Sequence, residues 1–247
     1  MRWVVGNWKM VRAQPSVDGW LDEARRERPR LGVTAVVAPA APYLFRVAAG
    51  LQGSPLLWAG QDLSWDEEGA HTGEVSASML AEAGASLVIV GHSERRLRFG
   101  ETDAQIAAKA LRAAGAGIRP LVCVGELAVE RRTGRAEAVV AAQVDALLAG
   151  LKGETQGLML AYEPIWAIGT GVAASPADAE AMHAVIRSRL GALAGRVPVL
   201  YGGSVSADNA AEFMRIREVD GVLVGGGSLH TPSFFAICDA AERCAGA

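Results

Sequence analysis

Five short stretches of this sequence carry residue types that could do chemistry, and the densest is Ala161–Gly171, reading Ala-Tyr-Glu-Pro-Ile-Trp-Ala-Ile-Gly-Thr-Gly. Glu163 stands where the apolar run Leu158–Ala161 should stop. Pro164 disfavours the α region for the residue before it, so the carboxylate leaves that run with an extended backbone. Ile165, Trp166, Ala167 and Ile168 then form an apolar loop that ends in Gly169, Thr170 and Gly171. Loops are usually polar, so a Trp-bearing apolar loop suggests a cover that closes over a ligand. Taken alone, the stretch reads equally as a surface glutamate before a loop packed on its neighbours.

The other four stretches supply what a lone carboxylate lacks. Lys9 lies between Trp8 and Met10, an odd place for a merely solvated charge, and follows Asn7. His92 opens a polar turn, Ser93-Glu94-Arg95-Arg96. Gly202-Gly203-Ser204 and Gly225-Gly226-Gly227 are glycine-rich turns after apolar runs. Singly, each has a plain explanation as a surface lysine, a structural histidine or an ordinary turn. Jointly they describe one chemistry. Glu163 could take a proton from carbon, while His92 and Lys9 polarise a carbonyl and stabilise the resulting oxyanion. Glycine-rich turns let backbone N–H groups approach a phosphate. The combination points to proton transfer beside the carbonyl of a small phosphorylated substrate. No His, Cys and carboxylate set has metal-ligand spacing, and neither a Gly-x-Gly-x-x-Gly fingerprint nor a Walker motif occurs.

These residues converge only if the elements carrying them share a rim. Apolar runs of four to six residues recur at Trp3–Gly6, Val33–Ala38, Leu56–Ala59, Leu87–Val90, Leu121–Val124, Leu158–Ala161, Pro198–Tyr201 and Gly221–Val224. Most are apolar on both faces, as in parallel strands covered by helices, and the gaps between them fit crossover helices. Thr102 with Gln105 makes a capping box, and Ser175, Pro176 and Asp178 open another helix. Gly150 is placed to stop a helix through Gln143 and Leu148, and Pro232 opens a last one towards Cys244. The order predicts a single (β/α)8 barrel over residues 1–247, with a doubly wound sheet as the alternative. In either fold the chemistry belongs at the C-terminal ends of the strands.

Composition adds limits. A net charge of −3 recommends neither nucleic acid nor an anionic membrane as a partner, and no apolar run is long enough to span a bilayer. Three cysteines without a paired spacing fit a reducing compartment, and Cys123 reads as a small core residue. The N-terminus reads as a strand rather than a signal peptide, so the expected location is cytoplasmic.

Asn7–Met10, Gly91–Arg96, Ala161–Gly171 and Tyr201–Val205, in this order, resemble the signature segments of the triosephosphate isomerase family over essentially the full length. The resemblance implies a TIM barrel that interconverts dihydroxyacetone phosphate and D-glyceraldehyde 3-phosphate without metal or organic cofactor. Glu163 would shuttle the proton and a neutral His92 would donate to the oxygens. Lys9 and Asn7 would bind substrate, and Glu94 resembles the family's glutamate beside the lysine. The phosphate would rest on Gly169, Ser204, Gly225 and Gly226. Pro164, Ile165, Trp166, Ala167, Ile168, Gly169 and Thr170 would form the lid, held when closed by Tyr201 near Ala174. A homodimer is also implied, with Gly69–Glu74 inserted into the neighbour through His71 and Thr72. Three positions depart from the family pattern. Val172 stands where a basic residue often follows, His71 where Phe or Tyr is usual, and Gly227 where Ala is usual. Another phosphate-binding barrel isomerase or lyase would explain the glycines and Lys9 but not Glu163 together with His92. A catalytically silent barrel would predict damage at Lys9, His92 or Glu163, and all three are intact.

Overall fold

The computed structural model describes residues 1–167 and 174–246. Its strands are β1 (Arg2–Asn7), β2 (Val33–Ala38), β3 (Leu57–Gly60), β4 (Leu87–Val90), β5 (Arg119–Val124), β6 (Met159–Tyr162), β7 (Val199–Tyr201) and β8 (Gly221–Val224). Each pairs in parallel with its sequence neighbours, and β1 closes on β8 with Trp3 opposite Gly221. The predicted barrel is therefore the architecture, and the doubly wound alternative is excluded.

Burial on both faces explains why these strands read as unbroken apolar runs. Val5, Val36, Ile89, Leu121, Cys123, Ala161 and Leu200 belong to one cluster, while their strand neighbours Val4, Val37, Val88 and Val122 pack in two others. Cys123 is fully buried among them, as expected of a small core residue.

Strand ends moved slightly from the expected places. β1 continues to Asn7, β5 starts at Arg119, and β3 and β6 lie one residue further on. The shift in β6 makes Tyr162 its last residue and leaves Glu163 at the exit. Pro198 stays outside β7: it has no N–H to donate, although its carbonyl accepts from Leu160.

Helix boundaries follow the caps. Thr102 and Gln105 bond reciprocally at the start of helix Asp103–Gly115, and Ser175 with Asp178 does the same for helix Pro176–Leu190. Pro232 lies in the first turn of helix Thr231–Ala245. Gly150 does not stop its helix, which runs from Ala136 to Leu151 and ends in left-handed Lys152 and Gly153. The glycine serves packing instead: a Cβ there would lie 2.4 Å from that of Ala107 on the neighbouring helix.

Helix Pro176–Leu190 also buries His183 against the barrel, edge-on to Tyr162 at 5.7 Å and tilted against Tyr201 at 6.4 Å. Its Nδ1 lies 2.7 Å from the Ala179 carbonyl, which can only accept, so Nδ1 carries the proton. Burial pushes its pKa down to about 4. Between about pH 6.5 and that value the unfolded chain holds a proton here that the native chain refuses. Stability must therefore fall as the pH drops through this window, by up to about 3 kcal/mol from this group. Urea midpoints for the native chain should decline between pH 7 and pH 4.5, and His183→Gln should flatten the decline. An unchanged slope in the variant would clear His183.

Candidate active site

Asn7 ends β1, and the chain turns sharply behind it. Lys9 has φ +52°, a left-handed conformation uncommon for a residue with a side chain. Its N–H donates to Asn7 Oδ1 at 2.9 Å. Gln61 donates through Nε2 to the carbonyls of Lys9, at 2.9 Å, and Ala38, at 2.8 Å. This turn directs Lys9 Nζ to Glu94 Oε1, 2.8 Å away. The pair is partly open to solvent, so it orients the ammonium more than it stabilises the fold.

At the end of β4, His92 caps helix Ser93–Phe99 with its own ring. Nδ1 accepts the Glu94 N–H at 3.2 Å and so carries no proton. The remaining ring proton sits on Nε2, which lies 3.0 Å from Glu163 Oε1. The hydrogen bonds thus assign the neutral Nε2–H tautomer. The Ser93 N–H donates to the other oxygen, Glu163 Oε2, at 2.9 Å.

Glu163 is only 2% exposed. Burial alone would raise its pKa, but His92, the Ser93 N–H and the more distant Lys9 hold it below the ordinary carboxylate value. For His92, burial lowers the pKa and the Glu163 carboxylate outweighs it, leaving the imidazole above its ordinary value in this resting arrangement. Glycine at 125 makes the arrangement possible, because a Cβ there would meet the Glu163 carbonyl at 1.9 Å.

Asn7, Lys9, His92 and Glu163 line one cleft of about 490 Å³ with Gly202, Gly203, Ser204, Gly225 and Gly226. A Cβ at Gly226 would meet nothing within 4 Å, and one at Gly225 only Lys9 Cε at 3.6 Å, so both glycines leave the cleft floor clear. Ser204 Oγ donates to the Ala167 carbonyl at 2.8 Å, joining the floor to the described part of the expected lid. Every predicted catalytic and phosphate residue among those described faces this cleft or, for Glu94, the Lys9 ammonium. Ile168, Gly169, Thr170 and Val172 lie outside the described residues.

The matching family profile is that described as triosephosphate isomerase, and it covers residues 2–241. The triosephosphate isomerase of Ralstonia nicotianae is 48% identical over 95% of this chain and 96% of its own length. That of Thiobacillus denitrificans is 47% identical over 97% and 98%, and that of Halorhodospira halophila 46% over the same shares. The chain belongs to the triosephosphate isomerase family.

His71 and Thr72 sit on an exposed loop, with His71 Nδ1 3.8 Å from Asp66 Oδ2. A second cleft of about 380 Å³ runs from Asn7, Lys9 and Glu94 past Glu74 to Arg98 and Phe99. The Tyr201 hydroxyl is buried without a partner among the described residues, and 168–173 of the lid region it is expected to hold lie outside them.

Two supporting residues escaped the sequence reading. Gln61 holds Lys9 in its turn, and Glu126 accepts from Tyr162 Oη at 3.1 Å and Trp166 Nε1 at 2.8 Å, on either side of Glu163. The signal for Glu126 was its place, directly after Val124-Gly125 at the end of β5.

His92 is one of the groups holding the Glu163 pKa down, so His92→Gln should raise it. Activity that needs an ionised base fails as pH falls through that pKa. The acid limb of kcat/KM in the residual activity of His92→Gln should therefore lie at higher pH than in the native chain. A limb at the same pH would show that His92 does not set the ionisation of Glu163.

Proposed function

We propose that this chain interconverts dihydroxyacetone phosphate and D-glyceraldehyde 3-phosphate, with Glu163 as the base. The observation that carries the reading is the Glu163–His92 contact at 3.0 Å, with the His92 proton fixed on the nitrogen that faces the cleft. A carboxylate for C–H abstraction and a neutral N–H donor for the adjacent oxygen are the two groups an enediolate path requires.

Dihydroxyacetone phosphate binds with its phosphate on the clear backbone at Gly225 and Gly226, beside Ser204 and with Gly169 completing the cradle. Its oxygens face the Lys9 ammonium, Asn7 and the His92 Nε2–H. Glu163 removes a proton from C1, the C1–C2 double bond forms, and the carbonyl π pair moves onto the C2 oxygen. His92 and Lys9 stabilise that charge. Protons then move between the two oxygens, and Glu163 returns its proton to C2, giving the aldehyde.

The base is tuned by what substrate binding removes. In the resting site His92 donates to Glu163, and substrate oxygens compete for that N–H. A carboxylate that loses a donor while still buried becomes a stronger base. Glu94 keeps Lys9 aligned without touching the substrate.

Pro164 to Thr170 serves as the lid. An enediolate left in water can expel its phosphate by breaking the C3–O bond, giving inorganic phosphate and, after tautomerisation, methylglyoxal. Covering the site excludes that water. The active species is a homodimer in the cytoplasm, in which His71 and Thr72 of the Gly69–Glu74 loop enter the neighbour's cleft beside Lys9. That both loop and cleft lie on one chain supports a two-fold pairing, in which each copy gives and receives the same contact. Among the described residues no helix is long and apolar enough to cross a membrane.

A coupled assay with D-glyceraldehyde 3-phosphate should show rapid turnover that Glu163→Ala lowers by about three orders of magnitude or more, without unfolding. Near-native turnover in the variant would sink the assignment of the base. Sedimentation at micromolar concentration should give a dimer, and replacing His71 and Thr72 together by glycine should weaken it by removing the side chains that enter the receiving cleft. A fully active monomer would refute the pairing.

A further inference from the structure

The segment that carries Glu163 is gripped from both sides by the loop after β5. Tyr162, before the base, and Trp166, three residues after it, both donate to one oxygen, Glu126 Oε1. Glu126 is fully buried, and its other oxygen has no partner among the described residues. A buried carboxylate needs a cation, and among the described residues the one within 4 Å is Arg131, with Nη1 3.5 Å from Oε1. The same guanidinium lies over the indole of Trp166, its Cζ 4.5 Å from the ring centroid. Its Nη2 bonds to Asp178 Oδ1. The other oxygen of Asp178 accepts the N–H and Oγ–H of Ser175, the cap of helix Pro176–Leu190.

We infer that Arg131 is a positioning residue for Glu163, acting through Glu126 and Trp166. One planar side chain does three things that a lysine would not combine: it faces a carboxylate, stacks on an indole and forks to a second carboxylate. Without it, the Glu126 charge is stranded in the interior. The carboxylate is then free to turn towards water, and that turn disturbs the bonds to Tyr162 and Trp166. Those bonds hold the backbone on the two sides of the base. A small rotation of that segment displaces the Glu163 carboxylate from the carbon it must reach, and such displacements weigh on the chemical step more than on binding. Among the described residues the Arg131 guanidinium meets Glu126, Asp178 and the Trp166 ring, none of which lines the substrate cleft.

The inference rests on the isomerase reading, so the native chain is assayed in parallel. Arg131→Met, which keeps an unbranched stem but no charge, should lower kcat about tenfold with KM within about twofold. It should also raise the share of substrate lost as inorganic phosphate. Arg131→Lys keeps the cation near Glu126 and Asp178 but not the flat stack on Trp166. It should retain the native unfolding temperature and still show a reduced kcat and a raised phosphate loss. A merely structural arginine would change the unfolding temperature and leave kcat per folded site and phosphate loss alone. Native kcat and phosphate loss in Arg131→Met would overturn the proposal. If that variant does not fold, the same native values in Arg131→Lys would do so. A native chain without isomerase activity would overturn the function and this role with it.

Discussion

A backbone N–H of the first helical turn after β4, that of Glu94, points at Nδ1 of His92, and the division of labour in the cleft depends on it. At 3.2 Å the bond is ordinary in strength. What it decides is which nitrogen keeps the proton. With Nδ1 turned to the helix start, Nε2–H faces Glu163 and the cleft. Opposing influences then compete over whether the ring gains a second proton. Burial and the Lys9 ammonium oppose the cation, as does the positive end of a helix, whereas Glu163 and Glu94 favour it. In the resting site the carboxylate raises the pKa of the ring, which keeps its single proton on Nε2. Once Glu163 has taken a proton from substrate its charge is gone, and of the carboxylates only Glu94, 3.7 Å from Nδ1, is left to favour the cation. The imidazole is then least prone to become a cation at the moment when it must act as a neutral donor.

The same helix start also governs the base. Both donors to Glu163, the His92 ring and the Ser93 N–H, come from consecutive residues at this one turn. The turn is in turn fixed from below. Gly91 has φ +66°, and a Cβ on it would lie 2.8 Å from Ile106 Cδ1 on helix Asp103–Gly115. That helix is set by the reciprocal cap between Thr102 and Gln105, which lies outside the cleft. Arg96 adds a further tie, donating to the carbonyls of Gly91 at 3.0 Å and Cys123 at 3.2 Å, and so linking β4 to β5. Base and electrophile therefore cannot be shifted independently: what moves this turn changes both.

The fold was legible because parallel strands buried on both faces leave continuous apolar runs, and eight of them can be counted without knowing any contact. The site was legible where a residue's own neighbours betray it. Glu163 precedes a proline, His92 precedes a polar helical turn, and the glycines form runs. Glu126 had no such local sign. It follows a strand like the others, yet a glutamate ahead of Leu127 and a helix looks like a solvated helix-start acid. Its meaning comes from Tyr162 and Trp166, far away in sequence, and distance in sequence is what single-residue reasoning cannot cross. Gln61 was hidden for the same reason, since it supports Lys9 through backbone carbonyls that carry no residue identity. Gly150 misled in the opposite direction. A glycine near a helix end suggests a stop, but here the missing side chain lets two helices approach.

Lys9 shows why such hidden supports are needed. A left-handed φ in a residue with a Cβ costs about 1 kcal/mol or more, and nothing in the lysine offsets it. The turn exists because the surroundings over-determine it: Asn7 accepts its N–H and Gln61 holds its carbonyl. The return is a cation brought up at the rim within hydrogen-bond reach of Glu94, rather than pointing away with Met10, which is 93% exposed. Asn7 serves twice, because the side chain that tethers Lys9 also lines the cleft. A contact that draws on the Asn7 amide from the cleft side therefore acts on the lysine turn as well. Binding at the rim and the direction of the ammonium are joined through that one side chain.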